Sequence, residues 1–346
     1  MGEFKLLRHK AAGHEGTLTD KDEVLVFKVL TQQELDFYQV VQEKSLRESD
    51  AADAADGDLP LSAWLPTFLG VLDESLQERG PGDSTAILSD SQTTPKSGGR
   101  KLLVLENLLY GYSQPNVLDV KLGKILFDEH ASEEKRQRLS EVSRTTTSGS
   151  SGFRICGMHM QANELTKEID EVHFEETDTG NIFINKNFGR SRTVDNIEGA
   201  FNLFFANDRL SEKRIKQLKE IFLQRIQLLY NTLLDEEVRM VSASLLFIYE
   251  GDPNRWDTLE DHDPILRSDF IEYSEDNESV EGEYEGKNRD YKGEEDSNDS
   301  MPENTSLSTL ALIDFAHSKF VPGEGYDENV VDAVENLMKL FDNLNL

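Results

Sequence analysis

Asp119 and Lys121, in Pro115-Asn-Val-Leu-Asp-Val-Lys-Leu-Gly123, pair a carboxylate with an amine two residues apart. Val117, Leu118, Val120 and Leu122 make this run strand-like. Residues i and i+2 of a strand share one face, so the acid and the base project together until Gly123 stops the strand. Far down the chain, Asp314 ends an apolar run (Leu310, Leu312, Ile313) and opens Asp314-Phe-Ala-His317. An aspartate at a strand end is where a phosphoryl-transfer site holds its metal. Lys28 closes the strand-like Val24-Leu-Val-Phe-Lys28, and Glu34 begins the next helix. That spacing suits a phosphate-holding lysine braced by a carboxylate, with a surface salt bridge as the plain alternative. Lys135-Arg136-Gln137-Arg138 is a basic run in an acidic chain, and on a helix Lys135 and Arg138 share a face. Lys124, Arg144 and Arg154 add positive charge nearby. The run reads as a phosphate-binding wall or as a solvated helix face, and Gly189-Arg190-Ser191-Arg192 is a further contributor.

These groups need elements to hold them. A strand over 24–28 leads to a helix over about 32–44, then to a polar loop at 45–58. A Gly/Ser/Pro-rich insertion spans about 80–99, and 101–106 forms another strand. Ser132 is a good N-cap, with Glu133 and Glu134 where the helix dipole favours acids. Ile215, Leu218, Phe222, Ile226, Leu229 and Leu233 form the stripe of a long helix over about 211–239. Strands follow at 242–249 and 309–315, and Asp327 caps a last helix. Strands and helices do not alternate regularly, so the expected class is α+β. It has a small N-lobe and hinge over 1–110 and a larger C-lobe over 111–346.

The net charge of −31 over 346 residues speaks against direct nucleic-acid binding, which depends on Lys and Arg neutralising phosphates. A polyanionic ligand therefore needs a locally basic pocket. Between Asp269 and Glu303 the chain carries 14 acidic residues against three basic ones, with few apolar residues. This insertion is expected to be disordered: either solvated filler or an acidic surface for basic partners. The single cysteine, Cys156, excludes an internal disulfide and reads as a small buried apolar group. No run reaches the roughly 20 apolar residues of a membrane span, and no signal peptide is evident, so a soluble intracellular protein is expected. There is no G-x-x-x-x-G-K-[ST] loop, no H-R-D catalytic loop, no G-x-S-x-G elbow and no Cys/His cluster. P-loop enzymes, ordinary protein kinases, α/β-hydrolases and zinc sites are thereby disfavoured.

The pattern P-x-x-x-D-x-K-x-G, then Ser244-Leu245-Leu246, then Ile313-Asp-Phe-Ala-His317 resembles the inositol polyphosphate kinase family. The resemblance runs from His9-Lys-Ala-Ala-Gly-His14 to the C-terminal helix. It is nearest to the fungal multikinase branch through Leu105-Glu-Asn-Leu108, Thr145-Thr-Thr-Ser-Gly149 and Phe247-Ile-Tyr-Glu-Gly-Asp252. The family often has two serines before Leu-Leu, and here the first is Ala243. The resemblance implies a two-lobed, kinase-like fold that uses ATP and Mg²⁺. Lys28 would hold ATP phosphates, and the backbone at Gly13 and Gly16 would approach them. The Glu106 carbonyl and Leu108 N–H would meet adenine, their side chains mattering little. Asp119 would lie near the ribose or reacting hydroxyls, and Lys121 between the transferred phosphoryl group and the inositol. Asp314 would bind the metal and His317 a substrate phosphate, beside Lys135, Arg136 and Arg138. The activity implied is phosphorylation of inositol trisphosphate and tetrakisphosphate toward pentakisphosphate. A single-step trisphosphate kinase and a hexakisphosphate kinase are the alternatives. Fungal members also imply nuclear and cytoplasmic residence and a link to transcription through basic transcription factors. A purely structural, acidic interaction protein is disfavoured, since Lys28, Asp119, Lys121 and Asp314 are all intact.

Overall fold

The computed structural model describes residues 4–7, 11, 17–50, 59–73, 100–177, 179–267, 270 and 305–344. Gly13, Gly16, the stretches 51–58 and 80–99 and, Phe270 apart, the acidic stretch 269–303 lie outside them. Strands Lys5–Leu6, Leu18–Thr19, Leu25–Val29, Phe68–Asp73 and Lys101–Glu106 are β1 to β5, and they form one sheet of order β1-β2-β3-β5-β4. A second sheet is built from β6 (Pro115–Leu122), β7 (Phe153–Gln161), β8 (Phe174–Glu176), β9 (Asn181–Ile184), β11 (Ser244–Glu250) and β12 (Ser308–Ile313). Its order is β12-β11-β6-β7-β9-β8, and β10 (Val238–Met240) and β13 (Ser318–Phe320) make a separate ribbon. Every pairing is antiparallel, which bears out the α+β, two-lobed expectation.

Helix α1 (Gln32–Asp50) follows β3 and runs beyond the expected end, so residues 45–50 continue the helix instead of opening a loop. The helices after it are α2 (Glu133–Thr145), α3 (Thr147–Ser151), α4 (Lys186–Arg190), α5 (Ile197–Phe205), α6 (Glu212–Asp235), α7 (Pro253–Thr258) and α8 (Glu328–Leu344). Ser132 caps α2 as expected, its hydroxyl accepting the Lys135 N–H at 3.2 Å. Ser211 caps α6, but that helix stops at Asp235, and Val238 and Arg239, expected in its last turn, instead pair with β13. Asp327 explains part of this: one oxygen accepts the Asn329 N–H at 3.1 Å at the head of α8, the other the Met240 N–H at 2.7 Å.

β6 is buried along almost its whole length because α6 and α8 cover one face of the larger sheet. Phe247 of β11 stacks on Phe341 of α8 at 5.6 Å, and Phe201 of α5 meets both edge-on. The hydrophobic core is continuous across the two sheets. Phe37 of α1 stacks on Phe315 at 4.6 Å and on Phe320 at 5.2 Å, and the Trp64 indole N–H donates to Thr232 of α6 at 3.0 Å. The smaller lobe is thus seated on the larger by aromatic packing, which fixes how the C-terminal ends of β3 and β12, carrying Lys28 and Asp314, approach.

Candidate active site

Between the sheets lies a cleft of about 870 Å³ with its mouth open to solvent. Lys28, Glu34, Tyr38, Leu105 to Leu109, Val117, Asp119, Leu246, Ile313 and Asp314 line it. Strand alternation turns Phe27 into the core and leaves Val26 and Lys28 toward the cleft. The Lys28 ammonium donates to Glu34 at 2.7 Å and to Asp314 at 2.7 Å. Burial alone would lower its pKa, but the two carboxylates outweigh it and hold the lysine charged. Glu34 is 1% exposed, and the oxygen that takes Lys28 also accepts the Phe315 N–H at 3.2 Å. One helix carboxylate therefore ties the lysine to the Asp314 turn, as the Lys28–Glu34 spacing implied.

Asp314 leaves β12 with φ of 68°, a left-handed conformation that Asp tolerates better than most side chains. Such strain persists only where surrounding structure enforces it, and it concentrates at functional sites. Among the described residues no three His, Cys, Asp or Glu side chains converge on a point. A magnesium ion is commonly held by one or two carboxylates plus ligand phosphates. Asp314 presents one carboxylate to the cleft. Asp119 Oδ1, buried and without a hydrogen bond of normal geometry, offers a second oxygen on the same cleft wall.

Asp119 and Lys121 sit on central β6, with Ser244 of β11 and Arg154 of β7 flanking Lys121 in register. Burial pushes the Asp119 carboxyl from 3.8 up to about 6; Lys121 pulls it back and the Asp314 charge adds to the rise. The Lys121 ammonium rests on the Ser242 carbonyl at 2.6 Å. Arg154 is 8% exposed, and its Nη1 has no hydrogen-bond partner. A buried guanidinium with an idle donor beside Lys121 is suited to an anion, and sequence reading had counted it only as nearby charge. Gly157, opposite Asp119, is needed for close approach: a Cβ there would lie 2.0 Å from the Ala11 carbonyl oxygen. Cys156 is half-buried rather than fully buried, and its thiol is pushed up to about 11, chiefly by burial and then by Asp119, which makes it a poor nucleophile.

The expected adenine contacts, Glu106 and Leu108, do lie on the cleft. The expectation that their side chains matter little needs correction. The Glu106 carboxylate accepts the Thr67 N–H at 3.0 Å and hydroxyl at 2.9 Å, and it also takes the Arg267 guanidinium. The Asn107 side chain donates to the Glu23 carbonyl at 2.6 Å and accepts the Leu109 N–H at 3.1 Å. Downstream, the fully buried Glu250 accepts the N–H groups of Ser113 and Gln114. The hinge is thus pinned at both ends by carboxylates, a function that a pattern of residue types does not display.

The expected phosphate wall is divided. Helix α2 buries none of its residues. Arg138 is exposed and Lys135 half-buried, whereas Arg136 turns back to donate to the carbonyls of Ala131 at 2.9 Å and Glu129 at 2.5 Å. Lys124 pairs with Asp332 and Arg144 with Glu141. Arg192 lies over the Phe188 ring at 4.3 Å. The His317 ring meets Asp128 at 2.5 Å, and Lys319 meets Glu129 at 2.5 Å, which staples the loop before α2 to the segment after Asp314. Burial works against the Asp128 charge, but the His317 contact holds that carboxyl below its ordinary value.

Residues 102–342 match the model of the inositol polyphosphate kinase family. The chain is 49% identical to the inositol polyphosphate multikinase of Saccharomyces cerevisiae, over 98% of each chain. It is 30% identical to the inositol polyphosphate multikinase of Schizosaccharomyces pombe, over 71% of this chain and 80% of that one. A crystal structure of the S. cerevisiae inositol phosphate multikinase with ADP and Mn²⁺ superposes with a TM-score of 0.71 and 44% identity, covering 93% of this chain and 99% of that one. By the family model over 102–342, the near full-length relative and the shared fold, this chain belongs to the inositol polyphosphate kinase family.

Proposed function

We propose that this kinase transfers the γ-phosphoryl group of ATP to hydroxyls of inositol trisphosphate and then tetrakisphosphate, leading to pentakisphosphate. The observation that carries the reading is the meeting of two charge sets in one cleft. Lys28, Glu34 and Asp314 form one set and line the cleft together with Asp119; Lys121 and the buried Arg154, beside Asp119 on β6 and β7, form the other. The S. cerevisiae multikinase, similar along nearly the whole chain and crystallised with ADP and Mn²⁺, supports both the nucleotide and the multikinase assignment. Bound magnesium would neutralise phosphate charge, and Asp314 is its holder. Lys28 fixes the nucleotide phosphates, and the apolar wall of Val26, Leu105 and Leu246 receives the base. Lys121 and Arg154 hold the acceptor's phosphates so that one hydroxyl faces the γ-phosphorus, and Lys121 follows the negative charge as it moves. Asp119, if anionic, accepts that hydroxyl's hydrogen bond. His317, Lys135 and Arg138 extend the acceptor site outward, and Arg136 holds the loop that presents them.

The test is to incubate pure protein with Mg·ATP and a panel of inositol phosphates and to separate the products. Turnover of tris- and tetrakisphosphate is expected, and absence of turnover with every member would sink the enzymatic reading. Turnover of the trisphosphate alone, or of the hexakisphosphate, would select one of the alternative kinase classes. We further propose residence in nucleus and cytoplasm, with the acidic stretch 269–303 docking basic transcription factors. Its 14 acidic residues support that reading. Salt-sensitive capture of such factors by the intact chain, lost on deletion of the stretch, is the check.

A further inference from the structure

We infer that Arg267 is a positioning residue for the nucleotide-base end of the cleft, acting through Glu106; this rests on reading the cleft as the ATP site. Residues 263–267 form a strap joining the two lobes. Its start is locked to the larger lobe by Arg225 of α6, which is 2% exposed. Arg225 donates to the Pro264 carbonyl at 2.7 Å, the Ile265 carbonyl at 2.7 Å and the Ser308 hydroxyl at 2.6 Å. Asp263 in turn accepts the N–H groups of Leu307 and Ser308, each at 3.0 Å. The strap's end crosses to the smaller lobe. There one Arg267 nitrogen meets both carboxylate oxygens of Glu106, and another meets the Leu65 carbonyl.

Glu106 ends β5, lines the cleft, and also holds Thr67 at the entry to β4. Arg267 therefore clamps the last residue of one cleft strand and the approach to the next. It adds a further tie between the lobes to the covalent hinge and to the Lys28–Asp314 and Trp64–Thr232 contacts. Both side chains are mostly buried, at 15% and 11% exposure, so removal of either leaves the other charge poorly compensated. The three contacts use the planar fork of a guanidinium, which an ammonium cannot reproduce. Asp119, Lys121 and Asp314 are held by other elements. Losing the clamp should therefore loosen nucleotide binding while leaving the transfer step largely intact.

The test is to titrate Mg·ADP calorimetrically into wild type, Arg267→Ala, Arg267→Lys, Glu106→Gln and the double variant Arg267→Ala/Glu106→Gln, and to measure kcat and KM. Arg267→Ala should raise the ADP Kd and the ATP KM about tenfold, the scale of a lost charge-assisted contact. Its kcat should stay within about twofold of wild type, and the KM for inositol phosphate should not change. Arg267→Lys should recover little, and the double variant should bind ADP no worse than Arg267→Ala, because the two residues act as one unit. Should Arg267→Ala fold poorly, Glu106→Gln alone reads the same clamp. Unchanged ADP affinity in folded Arg267→Ala, or fully additive effects in the double variant, would overturn the inference. A wild-type protein that binds ADP but phosphorylates no inositol phosphate would defeat the proposed function and leave the clamp still measurable.

Discussion

Asp314 holds its carboxylate toward Lys28 from a left-handed backbone position, and Asp314→Asn keeps that shape while removing the charge. Turnover should vanish with the melting temperature nearly unchanged; near-normal activity at saturating Mg²⁺ would remove the metal role. Lys121→Ala should lower kcat about a hundredfold, the usual loss for one electrostatic contact in a transition state. A variant that instead loses ATP affinity and keeps kcat would move Lys121 to the nucleotide side. Asp119 carries a pH signature. Its carboxyl is raised from 3.8 to about 6, so the folded state holds a proton that the unfolded chain releases earlier. The stabilisation from that proton is fully present below pH 3.8 and is lost as pH rises through about 6. Asp119→Asn should therefore raise stability at pH 7.5 by on the order of 3 kcal/mol, with the gain shrinking toward pH 4. Melting curves of both proteins across that range decide it: a pH-independent difference would refute burial as the cause. The same variant should lose activity, separating the carboxylate's chemical use from its cost to folding.

At the scale of elements, β6 was legible because its alternation and its Gly123 stop are local properties. α2 and α6 were legible at their N-termini because Ser132 and Ser211 act within one turn. The end of α6 was not, because Val238–Met240 takes its conformation from β13 and Asp327, partners some eighty residues away in sequence. Arg154 and the Glu106 clamp escaped for the same reason. Register across three strands and a contact spanning both lobes are products of the fold, whereas Lys28 with Glu34 is a short-range pair. Gly157 offers an element-level test, since its missing Cβ is what lets the Ala11 carbonyl approach β7 opposite Asp119. Gly157→Ala should displace Ala11, costing about 1–3 kcal/mol of stability as an overpacked site does. It should also raise the KM for ATP, because Ala11 lines the nucleotide cleft. A variant of unaltered stability and KM would show that the Ala11 backbone yields freely.

For the whole molecule, the question is how a chain of net charge −31 keeps a polyanion site and a long acidic stretch in one fold. The basic groups that matter are gathered inside, where Lys28 lines the cleft and Lys121 and Arg154 lie beside Asp119 of its wall, and solvent screens exposed charge beyond about 8–10 Å. The acidic stretch is inserted between α7 and β12, and both its roots are fastened to the body. Upstream, Asp263 to Ile265 are held by Arg225, and Arg267 by Glu106; downstream, Leu307 and Ser308 are held by Asp263. The two ends therefore meet through contacts that do not need the residues between them. Deleting Tyr273 to Pro302 should leave kcat/KM for ATP and inositol trisphosphate nearly unchanged, since Arg267 and Ser308 remain. Stability should shift little as well, because loop-closure entropy varies slowly with length. What should disappear is salt-sensitive capture of basic protein partners. Kinetics and pull-downs on the intact and shortened chains separate these outcomes. A collapse of activity on deletion would mean that the acidic stretch takes part in the active site and that the fastened roots are not sufficient to isolate it.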